Sequence, residues 1–207
     1  GTFTAADYAL NLIYNRSLTA NIRAGLNLKP IYSKYETYSS FGLAADLGIS
    51  YVDSAGLFSA GFVLRNMGTQ LTTYSKGDLS EKEPVPFDFQ IGFSQKLAHA
   101  PFRFSLTLQQ LTNWNLTDKS TWDFDHKDED DYIAGETDTA LRQFMRHTVW
   151  GVEFLPSENV IIGVGYNYQR RRELAYSVNP GAVGFSGGIT LKVNRFRFSY
   201  AVSQYHL

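Results

Sequence analysis

The sequence contains no cysteine, which excludes disulfide bonds, thiolate metal sites and a cysteine nucleophile. No uninterrupted apolar run approaches the ~18 residues of a membrane-spanning helix. The formal net charge is -1, so there is no bulk electrostatic attraction to nucleic acid, and no nucleic-acid partner is expected. The first residues show no signal-peptide pattern, and we therefore expect a chain that is mature, truncated or not exported.

Aromatic residues are abundant, at 15% of the chain, and many stretches place a large apolar residue at every second position. In residues 41–51 the large apolar side chains alternate with small and polar ones, and the large ones are Phe41, Leu43, Leu47, Ile49 and Tyr51. A period of two places the two sets on opposite faces of a β-strand. The length of this run is that of a tilted strand that crosses a bilayer, about 9–11 residues.

The same alternation recurs along the whole chain. It predicts about ten strands, over residues 7–15, 20–32, 41–51, 57–65, 87–96, 102–109, 147–155, 160–169, 185–193 and 196–203. Helical periodicity is nearly absent, and one short helix is predicted over residues 136–146. Because no linker or shift in composition divides the sequence, we predict a single domain over residues 1–207.

The connections between the predicted strands alternate between short and long. The longest irregular stretches are residues 66–86, 112–146 and 170–182, and residues 33–40 form a polar loop of intermediate length. Transmembrane barrels have short turns on one side and longer loops on the other, whereas a soluble sandwich or barrel has no reason to alternate in this way. We therefore predict an all-β, antiparallel up-and-down transmembrane β-barrel, with apolar columns toward lipid and polar columns toward the lumen.

The number and direction of the strands indicate a fragment. With a short first turn, ten strands place both chain ends outside the cell, whereas complete bacterial barrels have an even number of strands and both ends in the periplasm. The chain also ends at Leu207 rather than at an aromatic residue. The expectation is a barrel domain truncated at both ends, lacking an odd number of strands at each.

Five stretches resemble the PorQ family, which comprises outer-membrane proteins of the type IX secretion system in Bacteroidetes and is related to the FadL-like barrels. They are residues 4–12, 28–33, 41–49, 64–70 and 97–105, and the last is the most specific. The similarity is densest in the first half of the chain and weaker through residues 112–182. All five stretches are strand and turn signatures, and none is a catalytic motif.

The resemblance implies a function that the residues alone do not show. It implies a non-enzymatic protein integral to the bacterial outer membrane, with long loops facing the exterior and no cofactor. PorQ proteins associate with the surface protein PorZ in an attachment complex that joins secreted cargo to anionic lipopolysaccharide. The expected partners are therefore outer-membrane lipid, lipopolysaccharide and PorZ.

Two other functions stay open at this point. A FadL-like channel for hydrophobic small molecules has the same barrel class. A hydrolase is suggested by Gly184, Ser186 and Gly188, which fit a G-x-S-x-G pattern. That pattern serves a nucleophile only at a strand-to-helix turn, and here it opens an alternating strand with no helix after it, so we expect no enzyme.

Three features of the long loops are candidates for contact with a partner. Two tryptophans are potential anchors for a protein partner or pack within their loops. An acidic run at residues 123–131 suits Ca²⁺ or a basic partner, although it lacks the glycine at the sixth position of an EF-hand and is otherwise a solvated loop. An arginine triplet suits phosphate groups, or is solvated. The candidate residues are Trp114, Trp122, Asp125, Asp128, Arg170, Arg171 and Arg172.

Charged residues of both signs recur in the polar columns. They are Arg23, Lys29, Asp46, Asp88, Arg103, Glu153, Lys192 and Arg197. This mixture predicts an ion-paired interior, and a conducting or substrate-lined pore is the alternative. The four histidines, His99, His126, His147 and His206, have no zinc-ligand spacing and are interpreted as structural.

Overall fold

The computed structural model describes residues 4–74, 82, 84–116, 139–174 and 181–204. The chain is all-β, with 64% of its residues in strands and 8% in helices. It divides into two compact units, Gly1–Gln95 and Lys96–Leu207. All strand pairs within the two units are antiparallel, so the predicted all-β antiparallel class is confirmed.

The first unit holds six strands, of which the last ends one residue into the second unit. They are β1 (Ala5–Ala9), β2 (Leu12–Ser17), β3 (Ile22–Tyr35), β4 (Tyr38–Val52), β5 (Phe58–Thr72) and β6 (Asp88–Lys96). Both β1 and β2 pair with β3, and β4, β5 and β6 follow in order. The sheet has an open edge at β1 and β2.

The second unit holds five strands and two short helices. They are β7 (Phe102–Leu108), α1 (Ala140–Arg146), β8 (Thr148–Ser157), β9 (Val160–Asn167), α2 (Tyr168–Leu174), β10 (Phe185–Val193) and β11 (Phe196–Ser203). The strands β7 to β11 pair in chain order, and among the described residues β11 pairs with β10 alone. Since the sheet of each unit has an open edge, the predicted closed barrel is not established.

The predicted strand at residues 7–15 is interrupted at Leu10 and Asn11, although its register with β3 continues unbroken on both sides. The interruption lies opposite Pro30. The Leu10 N–H donates to the Pro30 carbonyl at 3.1 Å, but proline has no N–H with which to return a bond. The position of this strand was predicted correctly. The prediction of one continuous strand was wrong, because Pro30 lacks the N–H that the ladder needs at Leu10.

The polar loop predicted at residues 33–40 is wrong. Strand β3 continues to Tyr35 and β4 begins at Tyr38, which faces Tyr35 across the hairpin. Only two residues form the turn, and Glu36 has a φ of 52° there. Residues 34–39 lie at an exposed hairpin end, where backbone pairing rather than side-chain burial maintains the strands.

Strand β5 extends seven residues beyond the predicted end at Arg65, into the predicted loop 66–86. The register with β4 shifts between Ala45 and Leu47, because β5 contributes an extra residue at a β-bulge where Asn66 has a φ of 58°. Before the bulge, the even-numbered residues of β5 lie on the same face of the sheet as Leu47 and Ile49. Directly after it, the odd-numbered residues do. The alternating pattern is therefore broken in the sequence although the strand continues.

The second unit follows the sequence prediction closely. Its strands begin and end within two residues of the predicted bounds, and the last two coincide with them. Helix α1 lies within the predicted helical stretch, of which residues 136–138 are outside the described part. Helix α2 was not predicted and occupies part of the predicted loop 170–182.

Each unit has tight turns at one end, and long connections occur at the other end only. We call these the turn end and the loop end of the unit. Turn-end connections span residues 18–21 and 53–57 in the first unit, and 158–159 and 194–195 in the second. Loop-end connections span residues 36–37 and 73–87 in the first unit, and 109–147 and 168–184 in the second. The predicted alternation of short and long connections holds within each unit, except at residues 36–37.

The described residues contain almost no apolar core. Ala44 and Val183 are the buried hydrophobic residues, whereas six buried residues are polar or charged. Those six are Ser40, Gln70, Gln143, Arg146, His147 and Thr148. This is the reverse of the distribution in water-soluble proteins, where large apolar side chains fill the interior.

We expect Gly68→Ala to lower the free energy of unfolding by about 1–3 kcal/mol, because it forces β4 and β5 apart. A Cβ at Gly68 would overlap the Leu43 carbonyl and lie 2.5 Å from the Ala44 Cα. Urea unfolding of the full chain, followed by circular dichroism, measures the effect.

Gly61→Ala is the matched control on the same strand. The nearest atom to a Cβ at Gly61 is the Ile49 carbonyl oxygen, at 3.9 Å, which is ordinary contact. We expect its effect to stay within about 0.5 kcal/mol. Equal losses in the two variants would show that the close approach at Gly68 is not what limits stability.

Candidate functional site

The apolar side chains of the first unit form one continuous face of its sheet. Register places Ile49 beside Phe62, and Phe62 beside Ile91, so the columns align across strands. The rings of Phe62 and Phe89 lie 4.7 Å apart on this face. Ile49 is 51% exposed although both neighbouring strands flank it. We call this the apolar face of the unit, and its large side chains contact each other and the surroundings.

Aromatic side chains lie at both ends of this apolar face. At the loop end Tyr32 faces Phe41 in register and stacks on Tyr8 at 6.4 Å. At the turn end Tyr51 packs against Phe58 at 6.5 Å. Phe41 and Tyr51 are separated by about 34 Å along the strand, at about 3.4 Å per residue. With a strand tilt of about 40°, this becomes about 26 Å, close to the ~25 Å apolar band of transmembrane barrels.

The second unit has an apolar face of the same kind. Trp150, Tyr166 and Phe185 face one another in register across β8, β9 and β10 near the loop end. The rings of Tyr166 and Phe185 lie 4.8 Å apart. Toward the turn end, Phe102 packs on Phe154 at 5.3 Å. Val152 and Val164 pair between these two aromatic levels.

The opposite face of the first unit carries a polar cluster, formed by Asn11, Asn27, Lys29, Asp46 and Asn66. The Lys29 ammonium is 2.6 Å from the Asp46 carboxylate and also donates to the Asn66 side-chain oxygen at 2.5 Å. The Asn66 N–H donates to Asp46 at 2.8 Å, which the bulge permits by turning this backbone group inward. Asn27 donates to Asp46 at 3.1 Å and to Asn11 at 3.0 Å.

This cluster connects five segments of the chain, the first of which is the interruption between β1 and β2, through the bond from Asn27 to Asn11. Lys29 and Asp46 join β3 to β4, Asn66 adds β5, and its side-chain amide donates to the Pro86 carbonyl at 2.9 Å, just before β6. The Lys29 and Asp46 side chains are 13% and 19% exposed. Since the pair is largely removed from solvent, the loss of either charge leaves the other poorly compensated.

A second ion pair lies on the polar face of the second unit. Arg103 and Glu153 face each other in register between β7 and β8, with nitrogen and oxygen 2.9 Å apart. Their side chains are 37% and 36% exposed, so the pair is hydrated and contributes about 0–1 kcal/mol. Its value lies in fixing register rather than in stability.

The other predicted lumen-facing charges have different surroundings. Asp88 accepts a hydrogen bond from Gln90 at 2.5 Å and faces Arg65 in register. Lys192 and Arg197 face each other directly, which places like charges side by side. Arg23 is exposed on β3. All eight predicted residues lie on the face opposite the apolar columns of their strands, and whether that face lines a lumen stays a prediction.

The loop end of the second unit is organised around His147. Its side chain is 0% exposed, and the Trp114 indole stacks on its imidazole at 5.0 Å. The neighbouring Thr148 hydroxyl donates to the Met145 carbonyl at 2.7 Å and accepts from the Trp150 indole at 3.0 Å. Trp114 itself is 53% exposed, so one predicted partner anchor is presented at the surface on a buried support.

The three arginines of the predicted triplet all lie in helix α2, and their side chains have different surroundings. Arg170 donates to the Ser203 hydroxyl at 2.7 Å, and Arg171 donates to the carbonyls of Gly181 and Val183 at 2.8 and 3.2 Å. Arg172 is exposed. The guanidinium groups of Arg170 and Arg171 therefore stabilise the 168–184 connection through hydrogen bonds. The Arg172 side chain is the exposed one of the three. Trp122, Asp125 and Asp128 lie outside the described residues.

Two important residues of these sites were not predicted as such. Asn66 donates its N–H to Asp46 because it lies in a bulge. The bulge depends on the pairing of β5 with β4, which the sequence alone does not show. His147 was interpreted as structural, which agrees with its burial. Its position as the first residue of the predicted strand 147–155, directly after the predicted helix, was the one available signal.

Neither a protein-family model nor a curated protein sequence matches this chain. Within the described residues, no group of three or more histidine, aspartate or glutamate side chains has the arrangement of a metal site. Among the same residues, no helix has the length and apolar content needed to cross a membrane.

We expect Asp46→Asn to destabilise the chain by about 2–3 kcal/mol, because it leaves the Lys29 ammonium largely buried without its counter-charge. Glu153→Gln, which removes one partner of the hydrated pair, serves as the matched control and should cost at most about 1 kcal/mol. Urea unfolding of the two variants, side by side, gives both values. Similar losses would mean that burial does not distinguish the two ion pairs.

Proposed function

We propose that this chain is part of an integral outer-membrane β-barrel, with its apolar faces against lipid and its polar faces toward an enclosed interior. One observation supports this most directly. In both units the large apolar side chains are the exposed ones, whereas the polar face of the sheet holds the hydrogen-bonded clusters. Hydrocarbon tails are the environment in which that distribution is favourable.

Exposure of such faces to water is energetically unfavourable. Each fully buried aliphatic or aromatic side chain gains about 1.5–3 kcal/mol on leaving water. Ladder hydrogen bonds satisfy the backbone of the paired strands, which lipid cannot do, and closure of the sheet satisfies its edges. The open edges at β1, β2 and β11 are therefore the places where closure of the proposed barrel must occur.

Two further features favour a membrane-spanning sheet. The aromatic levels of the first unit are spaced like the two interfaces of a bilayer, where amphipathic rings concentrate. The tight turns at one end and the long connections at the other match the periplasmic and external sides of outer-membrane barrels. We propose that the loop ends face the cell exterior.

The biological role rests on the sequence resemblance. We propose that the protein is a non-enzymatic PorQ-like component of the type IX secretion system that anchors the surface protein PorZ in the attachment complex, close to lipopolysaccharide. Four of the five resembling stretches fold into β1 to β5, and the fifth covers the turn before β7 and most of that strand. Trp114 and Arg172 are the exposed candidates for contact with a partner at the described loop ends.

Ile49→Arg tests the membrane assignment. Ile49 lies on the apolar face between the midpoint of the span and the Tyr51 level, so we expect the arginine to destabilise the protein folded in lipid vesicles by about 1–2 kcal/mol. Ser50→Arg places the same charge one residue further, on the polar face, and should cost less than about 1 kcal/mol. The measurement is urea-dependent folding of the full-length protein into phosphatidylcholine vesicles. Equal effects, or a full-length protein that is monodisperse without detergent, would contradict a lipid-facing sheet.

Affinity capture tests the anchoring role separately. The full-length protein, tagged at a periplasmic turn and solubilised in mild detergent, should recover PorZ from cells with an intact secretion system. A Trp114→Ala variant should recover less, while Val164→Ala, which alters the apolar face between its two aromatic levels, should leave capture unchanged. Recovery of lipid-inserted protein without PorZ would reject the anchoring role and retain the barrel.

A further inference from the structure

The imidazole of His147 bridges two residues of the segment 109–116, Gln109 and Trp114. Its Nδ1 lies 2.9 Å from the Gln109 carbonyl oxygen, and its Nε2 lies 3.2 Å from the Trp114 carbonyl oxygen. The Gln109 N–H also donates to the His147 carbonyl at 2.9 Å. The ring thus contacts the segment at its first residue, at Trp114, and through the stacked indole.

Both neighbours of the ring nitrogens are hydrogen-bond acceptors only. A neutral imidazole has one N–H and can donate to one of the two carbonyls, whereas an imidazolium donates to both. In the neutral form, a nitrogen lone pair faces one of the two part-buried carbonyl oxygens, which is left without a donor from this ring. The stacked indole adds attraction for the charged form, as aromatic faces do for cations.

We propose that His147 is a pH-sensitive clamp, which holds the Trp114-bearing segment on the second unit when doubly protonated and loosens it when neutral. The segment is clamped at low pH and released as the pH rises. The clamp controls how rigidly the exposed Trp114 ring is presented, whatever binds there, and it holds with or without the proposed function.

The charged groups around the clamp do not titrate in the same interval. The segment 109–116 carries no ionisable side chain. Helix α1 carries Arg142 and Arg146, and α2, which packs on α1 and β8, carries the arginine triplet and Glu173. Arg146 is nearly buried and next to His147, so its charge opposes the imidazolium that the two carbonyls favour. Arginine stays charged and glutamate stays ionised between about pH 5 and 8, so the described charges of these two helices are constant over that interval.

The test follows Trp114 by fluorescence in the full chain in detergent micelles, with Trp122→Phe and Trp150→Phe leaving it as the sole tryptophan. Acrylamide quenching is measured from pH 5 to pH 8. We expect quenching to increase with pH as the population of released segment rises about tenfold, the factor that one charge-assisted hydrogen bond supports. The transition should vanish in His147→Gln and persist in His99→Gln, which alters a described histidine in the 97–101 turn.

A quenching profile that is flat in the parent, or a transition retained in His147→Gln, would overturn the clamp. A second measurement uses the unsubstituted protein, so that it does not depend on the folding of His147→Gln. Hydrogen–deuterium exchange at the imidazole C2 carbon, read by mass spectrometry on the peptide containing His147, reports protonation of that ring directly. Its midpoint should coincide with the quenching midpoint, and a His147 that keeps one protonation state from pH 5 to pH 8 would reject the proposal.

Discussion

The whole arrangement depends on the two-residue period of its strands, which separates apolar and polar side chains onto opposite faces. Within each unit, hydrogen-bonded ladders satisfy the backbone, so the faces are free to differ completely in chemistry. Among the described residues, the large side chains of the apolar faces are mostly exposed, and the polar faces carry the ion pairs and amide clusters. The proposed lipid surrounding would reconcile these two facts.

The polar face of the first unit shows how such a sheet is stabilised without an apolar core. The Lys29–Asp46 pair, Asn27 and the bulge at Asn66 connect consecutive strands through short, partly charge-assisted hydrogen bonds. Further toward the loop end, the Gln70 side chain donates to the Ser40 hydroxyl at 2.6 Å between β4 and β5. Directional polar contacts of this kind select one register, which hydrophobic contact with a fluid surrounding does not.

Alternation in the sequence was sufficient to place most of the strands. Residues 185–193 and 196–203 match their strands at both ends because their alternation is uninterrupted and their turns are short. Prediction failed where a non-local partner determines the outcome. Pro30 interrupts a strand that pairs with β3, and Asn66 adds a residue only in relation to β4. Helix α2 follows β9 directly and is fastened by Arg170 and Arg171 to distant residues.

The candidate site was predictable in kind and not in detail. The eight charged positions were identified as one face because they alternate with apolar residues. Their partners were not, since the register that joins Lys29 to Asp46, or opposes Lys192 to Arg197, depends on the exact pairing of strands. The clamp at His147 depends on two carbonyls from a segment more than thirty residues earlier in the chain.

The bulge at Asn66 changes which side chains of β5 lie on the apolar face of the sheet. Before it, even-numbered residues such as Phe62 and Leu64 share the apolar face. After it, odd-numbered residues such as Met67 do, because Met67 lies opposite Ala45. Deletion of one residue here would therefore place residues 67–70 on the opposite faces of the sheet, as far as the second register shift opposite Phe41, which no single substitution does.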